Sequence, residues 1–408
     1  MTEQTNTPKL RFPEFSEEWE NKSITDDFSI IDGDRGKHYP SSKDLLKKGD
    51  CIFLSAENIT KKGWSFKNLK FITRKKDISM GKGKLKLNDL ILTTRGTVGN
   101  VVRYHEEIPF QDMRINSGMV ILRTIQPSQF FLTLFTSNFM KRFLNKVTVQ
   151  SAQPHLTVAT IKTMKFFIPK SIKEQEKIGT FFSKLDRQIE LEEKKLELLE
   201  QQKRGYIQKI FSQGLRFKDE EGNYYKEWDT KQLKDVLEFS NKRTTNENEY
   251  PVLTSSRQGL ILQSDYYKDG KTFAESNIGY FILPKNYITY RSRSDDGIFK
   301  FNLNQIIDVG IISKYYPVFK GINTNQYYLT LHLNYQLKKE YIKYATGTSQ
   351  LVLSKKNLQN IQTKLPSYEE QTKIANFLSE LDKLIEKQSD KVELLKDRKK
   401  GLLQKMFV

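Results

Sequence analysis

Ile172–Phe211, IKEQEKIGTFFSKLDRQIELEEKKLELLEQQKRGYIQKIF, is the stretch whose reading decides the fold, and Tyr368–Val408, YEEQTKIANFLSELDKLIEKQSDKVELLKDRKKGLLQKMFV, is its counterpart. In the first, Ile178, Phe182, Leu185, Ile189, Glu192, Leu196, Leu199, Lys203, Tyr206 and Ile210 step by alternating four and three residues. In the second, Ile374, Leu378, Leu381, Ile385, Gln388, Val392, Leu395, Lys399, Leu402 and Met406 do the same, at a constant offset of 196. Alternating steps of four and three are the seam of a coiled coil. The polar interruptions also match, Glu192 with Gln388 and Lys203 with Lys399. Chance does not keep interruptions in register, so the two stretches are copies. At about 1.5 Å per residue, each predicts a helix about 60 Å long.

The duplication extends beyond the helices. Leu10-Arg11-Phe12 returns as Leu215-Arg216-Phe217, and a tryptophan follows each, Trp19 and Trp228, with four extra residues in the second copy. Gln129–Leu134 returns as Gln326–Leu331 at offset 197, and Ser151-Ala152-Gln153 as Thr348-Ser349-Gln350. Pro169 and Pro366 then precede the long helices, where proline suits a helix start. The order is domain, helix, domain, helix, with segments 1–170, 171–211, 212–366 and 367–408. Cys51–Ser55, Leu90–Thr94 and Gly118–Leu122 read as strands, Asp32–Lys37 as a polar loop, and Gln129–Lys146 as a helix-like stretch. The fold class is therefore α+β: two mixed α/β domains, separated and joined by two long helices forming an antiparallel coiled coil. Such pairing returns the second helix to the first domain. It makes residues near 10 and near 408 neighbours, in a circular, pseudo-two-fold arrangement.

The copies diverge most in their loops. Residues 29–48 barely align with 240–258, nor 93–100 with 290–298. A common frame with divergent loops suggests two modules reading different things. Net charge is +19, from 68 Lys and Arg against 49 Asp and Glu. Residues 172–211 and 369–408 each carry nine basic and eight acidic side chains, so nearly all the surplus lies in the domains. That points to a polyanion, most simply nucleic acid. The single cysteine, Cys51, fits a reducing compartment, and no apolar run or signal-like N-terminus is present, so a cytoplasmic protein with no membrane span is expected.

Several residues carry a resemblance to a known family. They are the twin openings Glu174-Gln175-Glu-Lys-Ile178 and Glu370-Gln371-Thr-Lys-Ile374 with the prolines before them, and Leu185-Asp186 with Leu381-Asp382. Asn88–Asn100 adds a strand followed by Arg95-Gly96-Thr-Val-Gly99, and Ala152–Leu156 leads toward the first helix. Together they resemble the specificity subunit of a type I restriction–modification system, over nearly the whole chain. The second domain departs from the turn pattern, with Tyr290-Arg291-Ser292-Arg293-Ser-Asp-Asp-Gly297. The resemblance implies two target-recognition domains, each reading one half of a bipartite site on double-stranded DNA, with the helix pair as spacer. It implies docking of two adenine methyltransferase (modification) subunits and of motor-nuclease (restriction) subunits. S-adenosylmethionine, ATP and magnesium would belong to those partners, and this chain would need no cofactor and catalyse nothing.

The residues agree on catalysis. The chain has no Pro-Pro pair for an adenine methyltransferase motif and no phosphate-binding Gly-x-x-x-x-Gly-Lys-Ser/Thr loop. His38, His105, His155 and His332 are scattered, without zinc spacing. Glu20-Asn-Lys22 and Asp229-Thr-Lys231 fit the short acidic-x-Lys pattern of metal-dependent nucleases, which stays an alternative beside a stand-alone DNA-binding regulator. Arginine pairs with guanine, and Asn or Gln with adenine, in the major groove, while phosphate contacts set affinity. The DNA-reading candidates are Arg35, Lys37, Arg95, Thr97, Arg114 and Gln153 in the first domain, and Arg243, Arg257, Arg291, Arg293 and Gln350 in the second. Phe181, Leu191 and Leu198 lie off the helical seam and are candidates for partner contact, or for packing on the adjoining domain.

Overall fold

A computed structural model describes residues 6–147, 155–266 and 276–408. The chain divides into two compact units, residues 1–194 with 390–408 (unit 1) and residues 195–389 (unit 2). This division runs through both long helices. Each unit holds one domain, the first half of the helix that follows it, and part of the other helix.

The long helices are α1 (Ile172–Phe211) and α2 (Tyr368–Met406). Both begin alike: Gln175 Nε2 donates to the carbonyl of Pro169, and Gln371 Nε2 to that of Pro366, each at 3.0 Å. Acidic Glu174, Glu369 and Glu370 occupy the first turns and Lys209 and Lys405 the last, as the helix dipole favours. No seam residue is exposed. In unit 1, Ile178, Phe182, Leu185 and Ile189 share one core with Leu395, Met406 and Phe407. In unit 2, Ile207, Ile210 and Phe211 share one with Ile374, Leu378 and Leu381. The seam lysines are not faults: Lys399 pairs with Asp186 in unit 1, and Lys203 with Asp382 in unit 2. These are the same bond in the two copies. Glu192–Lys391 and Glu193–Lys396 extend the unit 1 set, and from Asp186–Lys399 to Glu192–Lys391 the number rises on one helix as it falls on the other.

Residues near 10 and near 408 meet within unit 1. The Leu10 amide donates to the Lys405 carbonyl at 2.9 Å. In unit 2 the equivalent bond runs from Leu215 to Lys209 at 3.0 Å, inside a continuous chain. Next to it, Arg11 clamps the buried Glu174 carboxylate through two bonds of 2.6 and 2.7 Å, and Trp19 Nε1 adds a third at 3.4 Å. The second copy differs. Arg216 donates instead to the carbonyls of Tyr225 and Lys226, in the segment holding the four-residue insertion. Burial then pushes the Glu370 carboxyl up, against the attraction of Arg216.

Each domain is built on one four-stranded antiparallel sheet. Unit 1 uses β1 (Ser29–Asp32), β2 (Leu90–Thr93), β3 (Val101–Arg103) and β4 (Met119–Arg123), in the order β1-β4-β2-β3. Unit 2 uses β5 (Leu237–Ser240), β6 (Ile288–Tyr290), β7 (Phe301–Leu303) and β8 (Val318–Gly321), in the order β5-β8-β6-β7. Topology is thus duplicated along with sequence. The helix-like stretch to Lys146 is two helices, Ser128–Thr136 and Asn138–Val147, because Ser137 caps the first by donating its hydroxyl to the Leu134 carbonyl. Accessory strands differ: unit 1 includes a three-stranded sheet of Phe71–Ile72, Cys51–Leu54 and Met113–Ile115, whereas unit 2 includes separate strand pairs, Leu253–Ser256 with Gly259–Leu262, Phe281–Pro284 with Val309–Ile312, and Arg293–Ser294 with Leu351–Val352. Among the described residues no helix is long and apolar enough to cross a membrane.

Candidate nucleic-acid interface

The register of the unit 1 sheet gathers its variable loops at one end. Asp32 at the end of β1 pairs near Val120, Met119 pairs with Thr93, and Leu92 pairs with Val101. The loops after β1, after β2 and before β4 therefore emerge side by side. Their approach needs glycine at Gly33, where a Cβ would lie 2.1 Å from the Asn116 carbonyl oxygen. Asp34 ties the first loop, accepting from the amides of Gly36 and Gly81 at 2.9 Å each. Those amides hold its carboxyl below the usual range.

Four of the first-domain candidates come together here. Arg35 is about half exposed and pairs with Asp32 at 3.1 Å, while one of its guanidinium nitrogens reaches the Ser117 carbonyl at 3.4 Å. Lys37 and Arg95 are exposed. Thr97, also exposed, donates to the Ala56 carbonyl at 3.4 Å, beside a cleft of about 490 Å³. Gln153 lies outside the described residues. The Leu156 amide donates to the Thr94 carbonyl at 3.1 Å.

Arg114 is a correction. It sits on a buried strand with its side chain 6% exposed. Its guanidinium donates to Asp77 Oδ1 and to the Asp77 carbonyl, each at 2.9 Å, and also to the carbonyl of Lys82. Asp77 further binds Lys84 at 2.8 Å, and these cations hold its carboxyl below the usual range despite burial. Arg114 is committed to the core of the module, where its guanidinium is buried and bonded.

Unit 2 repeats the arrangement with different chemistry. Ser240 and Tyr290 end their strands and Val318 begins its own at one end of the sheet, and the segments after the first two carry Arg243, Arg291 and Arg293. Arg243 lies 3.9 Å over the Phe281 ring and donates to the Gly279 carbonyl at 2.7 Å. Arg291 is exposed. Arg293 faces the Tyr315 ring at 5.8 Å. Arg257 pairs with Asp296 at 2.8 Å, and Gln350 donates to Asp295 at 2.7 Å. Sequence reasoning missed Lys355, which bonds Asn241 at 2.9 Å and lies within 5.3 Å of two rings. Burial, and Arg243 nearby, lower its pKa. No sequence signal distinguishes Lys355 from the other lysines, because only folding brings it to Asn241.

Off the seam, the helices divide. Phe181 is half-buried and packs edge-on against Phe12 and Phe182, at the domain–helix junction. Leu191 and Leu198 are more than half exposed. Leu394, the repeat mate of Leu198, is 69% exposed, and the offset of 196 would have found it. Glu20-Asn-Lys22 and Asp229-Thr-Lys231 lie on short strands paired with those preceding α1 and α2. Glu20 is engaged with Lys22 at 3.3 Å. Among the described residues no group of three or more His, Cys, Asp or Glu is gathered for a metal.

Residues 16–201 and 225–394 match the family described as the type I restriction modification DNA specificity domain, once in each half of the chain. The chain belongs to this family. DNA specificity, not catalysis, is the task of this specificity protein, and the two matches coincide with the duplicated frame. Similar curated proteins come from Methanocaldococcus jannaschii. The type I restriction enzyme MjaVIII specificity subunit is 27% identical, with 96% of this chain and 92% of that protein covered. A putative type I restriction enzyme MjaX specificity subunit is 24% identical, covering 97% and 94%. Among solved structures, the type I restriction-modification S subunit from M. genitalium shares the fold at TM-score 0.60 and 15% identity, covering 98% of this chain and 99% of that one. A chain from a structural study of complex assembly and conformational transition of the type I R-M system matches at TM-score 0.54 with the same coverage.

Proposed function

We propose that the specificity protein reads a bipartite, asymmetric DNA site, one half with each domain. The observation that carries this reading is the pair of equivalent sheet edges, each presenting a different basic loop set. Arg35, Lys37, Arg95, Thr97 and Gln153 serve one half-site. Arg243, Arg291, Arg293 and Gln350 serve the other. The long helices act as an antiparallel coiled coil that sets the spacer, a role supported by the seam lysine–aspartate pair recurring in both units. The domains in this reading are residues 1–170 and 212–366, and the spacer helices 171–211 and 367–408. Exposed Leu191, Leu198 and Leu394 offer apolar contacts for two adenine methyltransferase subunits, and motor-nuclease subunits complete the assembly. S-adenosylmethionine, ATP and magnesium belong to those partners.

The test is a map of methylated adenines in the host genome with and without this gene. Deletion is expected to remove one bipartite motif whose halves differ. An unchanged map, with the protein expressed, would refute the reading and favour a stand-alone DNA-binding regulator.

A further inference from the structure

The loop of unit 2 that takes the place of the Arg95 loop has an acidic tip. Arg293–Ser294 pairs antiparallel with Leu351–Val352, which sets Gln350 beside that tip. Gly347, with φ +116°, lets the preceding turn fold back, and a Cβ there would lie 2.2 Å from the Gln350 carbonyl oxygen. Gln350 Nε2 then donates to Asp295 Oδ1 at 2.7 Å. The neighbouring Asp296 is spent inside the loop. It accepts from the Ser294 hydroxyl at 2.9 Å, from the Ile298 amide at 3.2 Å and from Arg257 at 2.8 Å. Asp295 is exposed, and Gln350 engages one of its two oxygens.

A carboxylate on a surface that meets phosphates is repelled by them. It gains only where a donor is offered. In the major groove the base donors are the exocyclic amino groups of cytosine and adenine, while guanine and thymine present acceptors there. The loop that follows the equivalent strand in unit 1 carries Arg95, a donor suited to guanine.

We infer that Asp295, oriented by Gln350, is a specificity-determining residue of unit 2 that selects a base bearing an exocyclic amino group, cytosine or adenine, at one position of its half-site. Arg257, expected from sequence to read a base, instead becomes a positioning residue that holds Asp296 and with it the tip. The inference rests on the bipartite reading above.

The experiment compares host methylation maps for the wild-type gene and for Asp295→Ala and Asp295→Asn. In Asp295→Ala one position of one half-site, cytosine or adenine in the wild type, is expected to become degenerate, whereas Asp295→Asn, whose amide pairs with adenine, is expected to keep or turn that position to adenine. In Asp295→Ala its preference should fall by about 5- to 150-fold, the range for one good base contact. The wild-type base at that position says which of the two is read. An unchanged motif in both variants overturns the inference. Should methylation vanish, the purified Asp295→Ala chain, shown to be folded by circular dichroism, is offered a randomised duplex library. Selectivity lost at a single amino-bearing position supports the assignment. Selectivity unchanged everywhere, or lost everywhere in a folded chain, overturns it, because phosphate contacts carry most of the affinity. A wild-type map with no bipartite motif defeats the functional reading itself, and this inference with it.

Discussion

Arg95 and Arg114 are both arginines in the same half of the chain, and their surroundings give them different work. Arg95 follows a buried strand and stands exposed at the sheet edge. Arg114 is inside, sharing Asp77 with Lys84. Removing one partner of a buried ion pair costs about 3–5 kcal/mol. Arg114→Ala is expected near the lower end, about 3 kcal/mol, since Lys84 remains. Arg95→Ala is expected to leave the melting temperature within about 1 °C, as surface changes usually do. It should instead relax one half-site by about 1–3 kcal/mol. Thermal denaturation together with the methylation map checks both, and loss of specificity at both halves for Arg95→Ala would contradict its assignment. The sequence could not separate the two because both read as a basic residue beside strand-like runs. Only the tertiary position of Asp77, 37 residues away, distinguishes them.

At the scale of elements, the copies share a frame but fill it differently. The helix Ser128–Thr136 and the strand before α1 contribute Phe131, Phe135 and Phe166, whose rings meet one another at about 6 Å. The equivalent positions in unit 2 hold Tyr328, His332 and Thr363. His332 is fully buried, its Nε2 lies 2.7 Å from the Thr363 hydroxyl, and its ring stacks on Tyr328. Desolvation holds the imidazole neutral, lowering its pKa from 6.5 to about 3. The unfolded chain therefore takes up a proton first as pH falls. The stability this neutral histidine confers is complete above about pH 6.5 and is lost progressively toward pH 3, by about 1.4 kcal/mol per unit. Melting of the wild type should show this slope as pH falls from about 6.5 to 5, and His332→Phe should flatten it. Equal slopes in both proteins would contradict the assignment. The motif Glu-Gln-x-Lys-Ile was legible as a repeat, but its physical meaning was not. Folding shows glutamine tying the helix start to the preceding proline in both copies, and Arg11 clamping Glu174 in one.

At the scale of the whole molecule, the closing hydrogen bond from Leu10 to Lys405 and its in-chain equivalent from Leu215 to Lys209 make the chain ends one of two equivalent junctions. If the helices set the spacer, inserting one heptad (about 10 Å of helix) in both at matching positions should lengthen the spacer and leave both half-sites unchanged. The same insertion in one helix alone should break the Lys203–Asp382 or Lys399–Asp186 register and destabilise the protein. A folded double-insertion variant with an unchanged spacer on the methylation map would refute the ruler.

The sequence by itself determined the duplication, the two long helices almost to the residue, the shared strands and the family. These follow from periodicity and spacing, which are local and repeat in register, so each copy checks the other. Tertiary structure alone decided which charged residues face outward, that the seam lysines are paired with aspartates, that Phe181 is packed at a junction, and that Asp295 stands exposed beside Gln350. Burial and ion pairing are set by residues distant in the chain, and in the divergent loops no second copy exists to check the reading.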